Sequence, residues 1–210
     1  MLKLFSMAIT NPGESSADAR KPRRHHHEVF SASRAGSLDS RMRRFIYRPD
    51  RLAERYVKPG DHVLDFGCGP GFFTREFAKK TGNTGMVIAV DLQEEMLRLL
   101  QQKLEPEGLM PRIRTYKCTE DSIGLSPEWD RKIDIAFAIF VVHEVPDPKK
   151  LFLEIASLLV PGGLLFYSEP PFIVSGTEFR DNLALAQGAG FRVIESRLFF
   201  VNRAAVLRKE

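Results

Sequence analysis

The 210-residue chain is 43% hydrophobic and 28% charged, with a formal net charge of +4. That balance, with only 2 cysteines, excludes a collagen-like, a disulfide-stapled or a wholly disordered chain. No uncharged apolar run approaches the ~20 residues of a membrane-spanning helix, and the length suits one domain with a short appendage.

The charge is unevenly placed. Residues 1–60 carry 13 Lys/Arg against 6 Asp/Glu, whereas residues 61–210 carry 18 against 21. A basic front on a mildly acidic body raises the question of a nucleic-acid partner. Met1–Ile9 is apolar but has neither a signal-peptide core nor a small-residue cleavage site. Arg20, Lys21, Arg23 and Arg24 suit a transit peptide, yet Glu14 and Asp18 interrupt the acid-poor stretch one requires. Cys68 and Cys118, with no CxxC or Cys/His zinc spacing, fit a reducing cytoplasm.

Residues 1–37 lack hydrophobic period and read as a flexible basic arm. His25, His26 and His27 lie within it; consecutive imidazoles do not converge on a tetrahedral metal site, so the tract reads as solvated. From Leu38 the pattern turns helical, with Leu38, Met42, Phe45 and Ile46 on one face and arginines on the others. Pro49 opens a second helical stretch, so residues 38–58 are expected to form a helical lid or cap segment before a domain over 59–210.

Strands are then predicted at His62–Phe66, Met86–Val90, Ile113–Cys118 and Ile133–Phe140, alternating with helices at Phe72–Lys80, Leu92–Leu104 and Lys149–Val160. The fourth strand is almost wholly apolar, as a strand covered on both faces should be. Pro161-Gly162-Gly163 is expected to break the third helix before a strand at Leu164–Ser168. A helix near Glu178–Gln187 precedes two strands, Arg192–Phe199 and Arg203–Arg208, whose short turn leaves no room for a crossover. The last strand must therefore run antiparallel. The expected fold is α/β, a Rossmann-like seven-stranded, mostly parallel sheet with helices on both faces.

Val63-Leu64-Asp65-Phe66-Gly67-Cys68-Gly69-Pro70-Gly71 carries the most chemistry. A buried strand runs into three alternate glycines, which allow positive φ and close approach of a ligand to backbone, and then into a helix N-terminus. The Lys and Ser/Thr of a phosphate-cradling loop are missing. Asp91 ends the next strand, where an acid accepts hydrogen bonds from a ribose diol. The G-x-G-x-G spacing differs from the G-x-G-x-x-G of dinucleotide sites, and Asp65 is ill placed beside a pyrophosphate but suits a cationic ligand. Asp65 would equally serve to tie down loop N–H groups, and Asp91 to cap a helix.

Val63–Thr74, Val87–Leu97, Ile133–Pro148 and Pro161–Pro170 together resemble the ordered motifs of class I S-adenosylmethionine-dependent methyltransferases, over about residues 50–210. The chain is similar in particular to the small-molecule branch that includes the ubiquinone/menaquinone C-methyltransferases. The resemblance implies S-adenosyl-L-methionine as cofactor, with Gly67, Gly69 and Gly71 along its methionine and ribose and Asp91 on the ribose diol. Asp65 would face the cationic end, and Leu92 and Phe140 would complete the wall. Where the family often has Gly-Asp-Ala, this chain has Cys118-Thr119-Glu120 and then Asp121, so both Thr119 and Asp121 are candidates for the adenine. A lid placement of Phe45 and Tyr47 near the acceptor is likewise implied by the family.

The acceptor side is expected at the ends of the fourth and fifth strands. There is no (Asn/Asp/Ser)-Pro-Pro-(Tyr/Phe) motif of amine- or amide-directed nucleobase and glutamine methylation. His143 titrates near neutrality and suits a general base; it would equally anchor its loop. Glu169 is a second acid/base or substrate-binding candidate, or a carboxylate paired to an arginine. The reading is methyl transfer to a small organic acceptor by in-line displacement, with no nucleic-acid partner, no membrane span and no metal, in a monomer or homodimer. The alternatives are a methyltransferase of the same fold acting on RNA or protein, and a nucleotide-binding protein without catalysis.

Overall fold

The computed structural model describes residues 41–210, with side chains from residue 44 onward. The expected arm at 1–37, the His25–His27 tract and Leu38 lie outside the described residues. Two short helices come first, α1 (Arg41–Tyr47) and α2 (Pro49–Tyr56). Arg48 joins them in a left-handed conformation at φ 45°, and Pro49 takes the first turn of α2, where its missing N–H leaves nothing unpaired.

Seven strands follow: β1 (His62–Phe66), β2 (Met86–Asp91), β3 (Ile113–Lys117), β4 (Ile133–Ile139), β5 (Leu159–Glu169), β6 (Phe191–Phe199) and β7 (Asn202–Lys209). Between them lie α3 (Thr74–Thr81), α4 (Glu94–Leu104), α5 (Pro148–Leu158) and α6 (Gly176–Gly188). The strands form one sheet in the order β3-β2-β1-β4-β5-β7-β6. Neighbours pair in parallel except at β7, which runs antiparallel to β5 and β6. The expected sheet and its reversed last strand are both present.

Side-chain alternation splits the core into two layers. Leu64, Ile88, Ala136 and Tyr167 face a layer closed by α5 and α6 through Phe152, Ile155 and Phe179. Val63, Val87, Phe137 and Phe166 face the opposite layer, closed by Leu52 of α2, Phe77 of α3 and Leu100 of α4. β4 is apolar throughout because both its faces are covered.

Two expectations differ from the structure. α5 stops at Leu158 and β5 already begins at Leu159, so Pro161-Gly162-Gly163 lies inside the strand. Ile133 pairs with Leu159 and Ile135 with Leu164; the intervening Pro-Gly-Gly is extruded as an irregularity, with Gly162 at φ 77°. On α1, Phe45 is 79% exposed rather than part of a buried stripe, while Tyr47 packs against Phe140 and Phe199 at centroid distances of 5.4 and 5.6 Å.

The order reverses between β1 and β4, whose chains leave the sheet in opposite directions. The crevice so opened lies beyond the carboxyl ends of the strands. Phe77, fully buried and stacked 4.1 Å from Phe137, holds α3 against this centre. Phe77→Ala is expected to cost about 3–5 kcal/mol, read as a lowered urea midpoint with unchanged slope. A loss below ~1 kcal/mol would mean the layer collapses around the gap.

Candidate active site

The crevice holds a cavity of about 1220 Å³ that runs along the carboxyl edge of the sheet. Its floor on the β1 side is the glycine loop. Gly67, Gly69 and Gly71 all have positive φ, at 72°, 53° and 84°. The three glycines serve different ends. A Cβ on Gly67 would meet Val141 Cγ2 at 2.5 Å, and one on Gly71 would meet Leu100 Cγ at 2.9 Å. A Cβ on Gly69 would meet nothing within 4 Å, and Gly69 lines the cavity. Gly67 and Gly71 thus let the protein pack on its own loop, whereas Gly69 leaves open a space that a ligand can fill.

Asp91 fixes the loop. Its Oδ2 accepts the Gly69 N–H at 2.8 Å and its Oδ1 the Gln93 N–H at 2.9 Å. Burial pushes its carboxyl up, and the N–H groups of Gln93, Gly69 and Leu92 pull it back. A carboxylate has about four acceptor positions, so capacity remains for hydroxyl donors in the cavity. Asp91, Leu92, Thr119, Asp121 and Phe140 all line this space, as do Gly67 and His143.

Asp65 and Gly71 stand behind the loop and are not among the lining residues. Asp65 is buried and accepts the Thr74 hydroxyl at 2.6 Å. Burial pushes its carboxyl up to about 7, against the Thr74 hydrogen bond. The tying of a loop N–H thus falls to Asp91. The Cys68 and Cys118 thiols both line the cavity; burial raises both, Cys118 to about 11, so neither is a thiolate nucleophile near neutrality.

At the end of β4 the chain turns sharply. Phe140 has φ 61°, a left-handed conformation that costs a bulky residue about 1–2 kcal/mol. Its N–H bonds to Ser168 O at 2.8 Å, and its ring lies against Tyr47 and Phe199. The turn sets Val141 over Gly67 and carries His143 to the end of β5. There Glu169, 1% exposed, receives the His143 N–H on Oε1 at 3.2 Å, and its Oε2 lies 2.6 Å from His143 Nδ1. Glu169 therefore contacts the cavity through His143.

Burial works against the His143 imidazolium, but the hydrogen bond and charge of Glu169, joined by Glu144 and Glu178, outweigh it and hold His143 above its ordinary value. Glu169 is pushed up by its own burial, with His143 opposing. The short contact and the near-complete burial of both side chains make them one proton-holding unit.

Two supporting residues escaped the sequence reading. Glu154 accepts the Ser122 hydroxyl at 3.2 Å and the Ile123 N–H at 2.6 Å, fixing the segment that carries Thr119 and Asp121. Asn182 donates to the Tyr167 hydroxyl at 3.1 Å beside the cavity. Each interrupts an apolar stripe, Glu154 three residues after Leu151 and Asn182 three after Phe179, which is the signal that marks a polar group aimed inward.

A methyltransferase-domain family matches residues 63–163. The chain is 34% identical over 113 residues to a ubiquinone/menaquinone biosynthesis C-methyltransferase of Hydrogenovibrio crunogenus, covering 54% of this chain and 43% of that protein. It is 35% identical over 127 residues to a demethylmenaquinone methyltransferase of Lactobacillus johnsonii, covering 58% and 51%. The chain thus spans about half the length of these curated relatives. A SAM-dependent methyltransferase structure from Aquifex aeolicus superposes with a TM-score of 0.75 at 28% identity, over 86% of this chain and 98% of that one.

The glycines separate packing from ligand space in a measurable way. Gly69→Ala should lose only the backbone preference, about 1–2 kcal/mol. Gly67→Ala adds the clash with Val141 and should lose about 1–3 kcal/mol more. Chemical denaturation of the two ligand-free variants checks the order; equal losses would show that Val141 yields freely.

Proposed function

We infer that this chain, a member of the class I S-adenosylmethionine-dependent methyltransferases, transfers a methyl group to a small organic acceptor by in-line displacement. The observation that carries the reading is the open face of Gly69 beside the Asp91 carboxylate, at the reversal point of the sheet. A backbone cradle that a Cβ would fill and a carboxylate with acceptor positions to spare fit a nucleoside with a ribose diol. S-adenosylmethionine, when bound, supplies a methyl on a cationic sulfur that is already a good leaving group.

The residues of this chain do the holding. Asp91 accepts the ribose hydroxyls, and the loop at Gly67 and Gly69 gives backbone contact along the ligand. Leu92 and Phe140 close the wall. Thr119 and Asp121 offer the polar contacts for the base, on a segment steadied by Glu154. Asp65 and Gly71 act from behind, Asp65 by holding Thr74 and Gly71 by letting the loop close on Leu100. No helix among the described residues is long and apolar enough to cross a membrane. The two unpaired cysteines suit work in a reducing cytoplasm.

On the acceptor side His143 takes the proton that leaves as the new bond forms. A neutral ring that donates Nδ1–H to Glu169 keeps the other nitrogen as the acceptor. Glu169 is a positioning residue that fixes this tautomer and stabilises the imidazolium afterwards. Much of the rate comes from holding acceptor and methyl at near-attack distance in a dry pocket, so the base adds to catalysis without being its only source.

Two measurements test this. In a thermal shift, S-adenosylmethionine and S-adenosylhomocysteine at about 100 times their dissociation constants should each add about 2.7 kcal/mol. Asp91→Ala should weaken both by roughly 10- to 100-fold through lost charge-assisted hydrogen bonds; stabilisation by NADH alone would overturn the reading. For the base, kcat/KM should rise with pH through a midpoint above ~6.5, since His143 works deprotonated and its neighbours raise it. Glu169→Gln should move that midpoint down. A flat profile in the wild-type chain would remove His143 from proton transfer.

A further inference from the structure

One polar side chain in the α6 wall of the cavity has bonding capacity that the protein does not use. Asn182 interrupts the buried face of α6 between Phe179 and Ala186 and is itself 7% exposed. Its Nδ2 donates to the Tyr167 hydroxyl at 3.1 Å. Tyr167 is fully buried, with Phe179 stacked on it at 4.9 Å and Phe152 edge-on at 5.9 Å. Burial pushes its hydroxyl up, so this anchor stays protonated at any working pH. An amide held through its nitrogen has its oxygen turned away from that bond. Among the described residues the Asn182 Oδ1 accepts nothing, and it is not sealed in the core as the unpartnered Asn202 Oδ1 is. It opens on the cavity that Asn182 lines.

Bonding and register put this oxygen on the acceptor side. β5, which carries Tyr167, is separated from β2, which carries Asp91, by β1 and β4, three strand spacings or about 14 Å. The ribose contacts proposed for Asp91 are therefore out of its reach. Tyr167 and Glu169 stand two residues apart in a regular stretch of β5, so their side chains leave the same face of the sheet, about 6–7 Å apart along the strand. Glu169 in turn holds His143 by its backbone N–H and its ring. One face of β5 thus fixes both the Asn182 amide and His143.

We propose that Asn182 determines acceptor specificity: its Oδ1 accepts a hydrogen bond from a hydroxyl or N–H on an otherwise apolar acceptor. The proposal rests on the methyl-transfer reading above and adds a residue to the same site. A site built to bond a substrate group rejects the analogue that lacks it, because the buried polar atom is then stripped of water and left unpaired. The Tyr167 bond makes that rejection sharper, since an anchored amide has already lost the rotamer freedom that binding would otherwise cost. Asn182 carries no charge and exchanges no proton with the acceptor. Its selectivity is therefore independent of pH, whereas proton transfer through His143 is not.

The test is calorimetry on the full chain, with and without saturating S-adenosylhomocysteine, titrated with 4-propylphenol, 4-propylaniline and 4-propylanisole. The phenol and the aniline should each bind roughly 10-fold tighter than the ether, which brings no donor. The tighter of the two identifies hydroxyl or N–H as the group that is read. Asn182→Leu should remove the preference by weakening both donors while the ether changes little. Tyr167→Phe keeps the amide but frees it to turn, and should cut the preference to about 2- to 3-fold. Melting curves confirm that both variants fold. A merely structural Asn182 would weaken all three compounds alike or none. Equal or tighter binding of the ether, no binding of either donor, or a preference that survives Asn182→Leu would overturn the proposal. Failure of S-adenosylhomocysteine to bind the wild-type chain overturns the methyl-transfer reading instead, and the titrations without it still decide whether Asn182 reads a donor.

Discussion

The site depends on the place where Val141 occupies the space of an absent Gly67 side chain. β1 and β4 are neighbours across the reversal of the sheet, so their loops leave in opposite directions and meet at Gly67 and Val141. A Cβ on Gly67 would lie 2.5 Å from Val141 Cγ2, well inside any tolerable carbon–carbon contact. Glycine is therefore needed for a packing reason as well as for its φ of 72°. Contact of this kind makes the ligand-cradling loop and the His143 segment one rigid unit, because close-packed groups do not slide without loss of dispersion energy. Phe140 supplies the other half of the device. Its left-handed backbone is unfavourable alone and persists because its N–H is bonded to Ser168 and its ring is packed between Tyr47 and Phe199.

Electrostatics divide the site along the same line. On the β1–β2 side a carboxylate is satisfied by backbone: Asp91 binds the N–H groups of Gly69 and Gln93. On the β4–β5 side a carboxylate is satisfied by a side chain, Glu169 by His143. Backbone donors are fixed by the fold and do not titrate near neutrality, so Asp91 is suited to recognition. An imidazole donor does titrate there, so the Glu169 pair is suited to proton transfer. Both carboxyls are pushed up by burial; the difference lies in what answers that burial.

The same division explains what was legible in the sequence. Strand alternation, the apolar β4 and the glycine loop followed by Asp91 are local patterns, and each strand and helix of the domain lies within a few residues of its expected place. The glycine spacing together with Asp65 argues in the sequence for a ligand without a pyrophosphate. The partner of His143 was not legible, because Glu169 is 26 residues away and its pairing is set by the adjacency of β4 and β5. Nor was the conformation of Phe140, since no local rule puts phenylalanine at positive φ; only its neighbours hold it there. The start of β5 was misplaced for a similar reason. Proline and two glycines punctuate a chain in isolation, but pairing of Leu159 with Ile133 extends the strand back past them. Asp65 stood in a suggestive position in sequence, and its burial behind the loop, bonded to Thr74, follows from which face of β1 it occupies.

The acidic charge of the body bears on chemistry through the cavity it lines. A net charge says little about a pocket, because exposed charges are screened within about 8–10 Å by salt, while charges lining a crevice are screened far less. The cavity wall carries Asp91, Glu120, Asp121, Glu144, Asp147, Glu154 and Glu178 and no lysine or arginine among the described residues, while Arg44, Arg55 and Arg197 are paired with Glu76 and Glu195 away from it. A cavity of this sign favours a cationic sulfonium over the neutral thioether left after transfer. On the methyl-transfer reading, the charge that draws in a cationic donor would weaken the hold on its neutral product. On that reading the carboxylates would serve turnover without touching the reacting bond, through the sign of the charge along the wall alone.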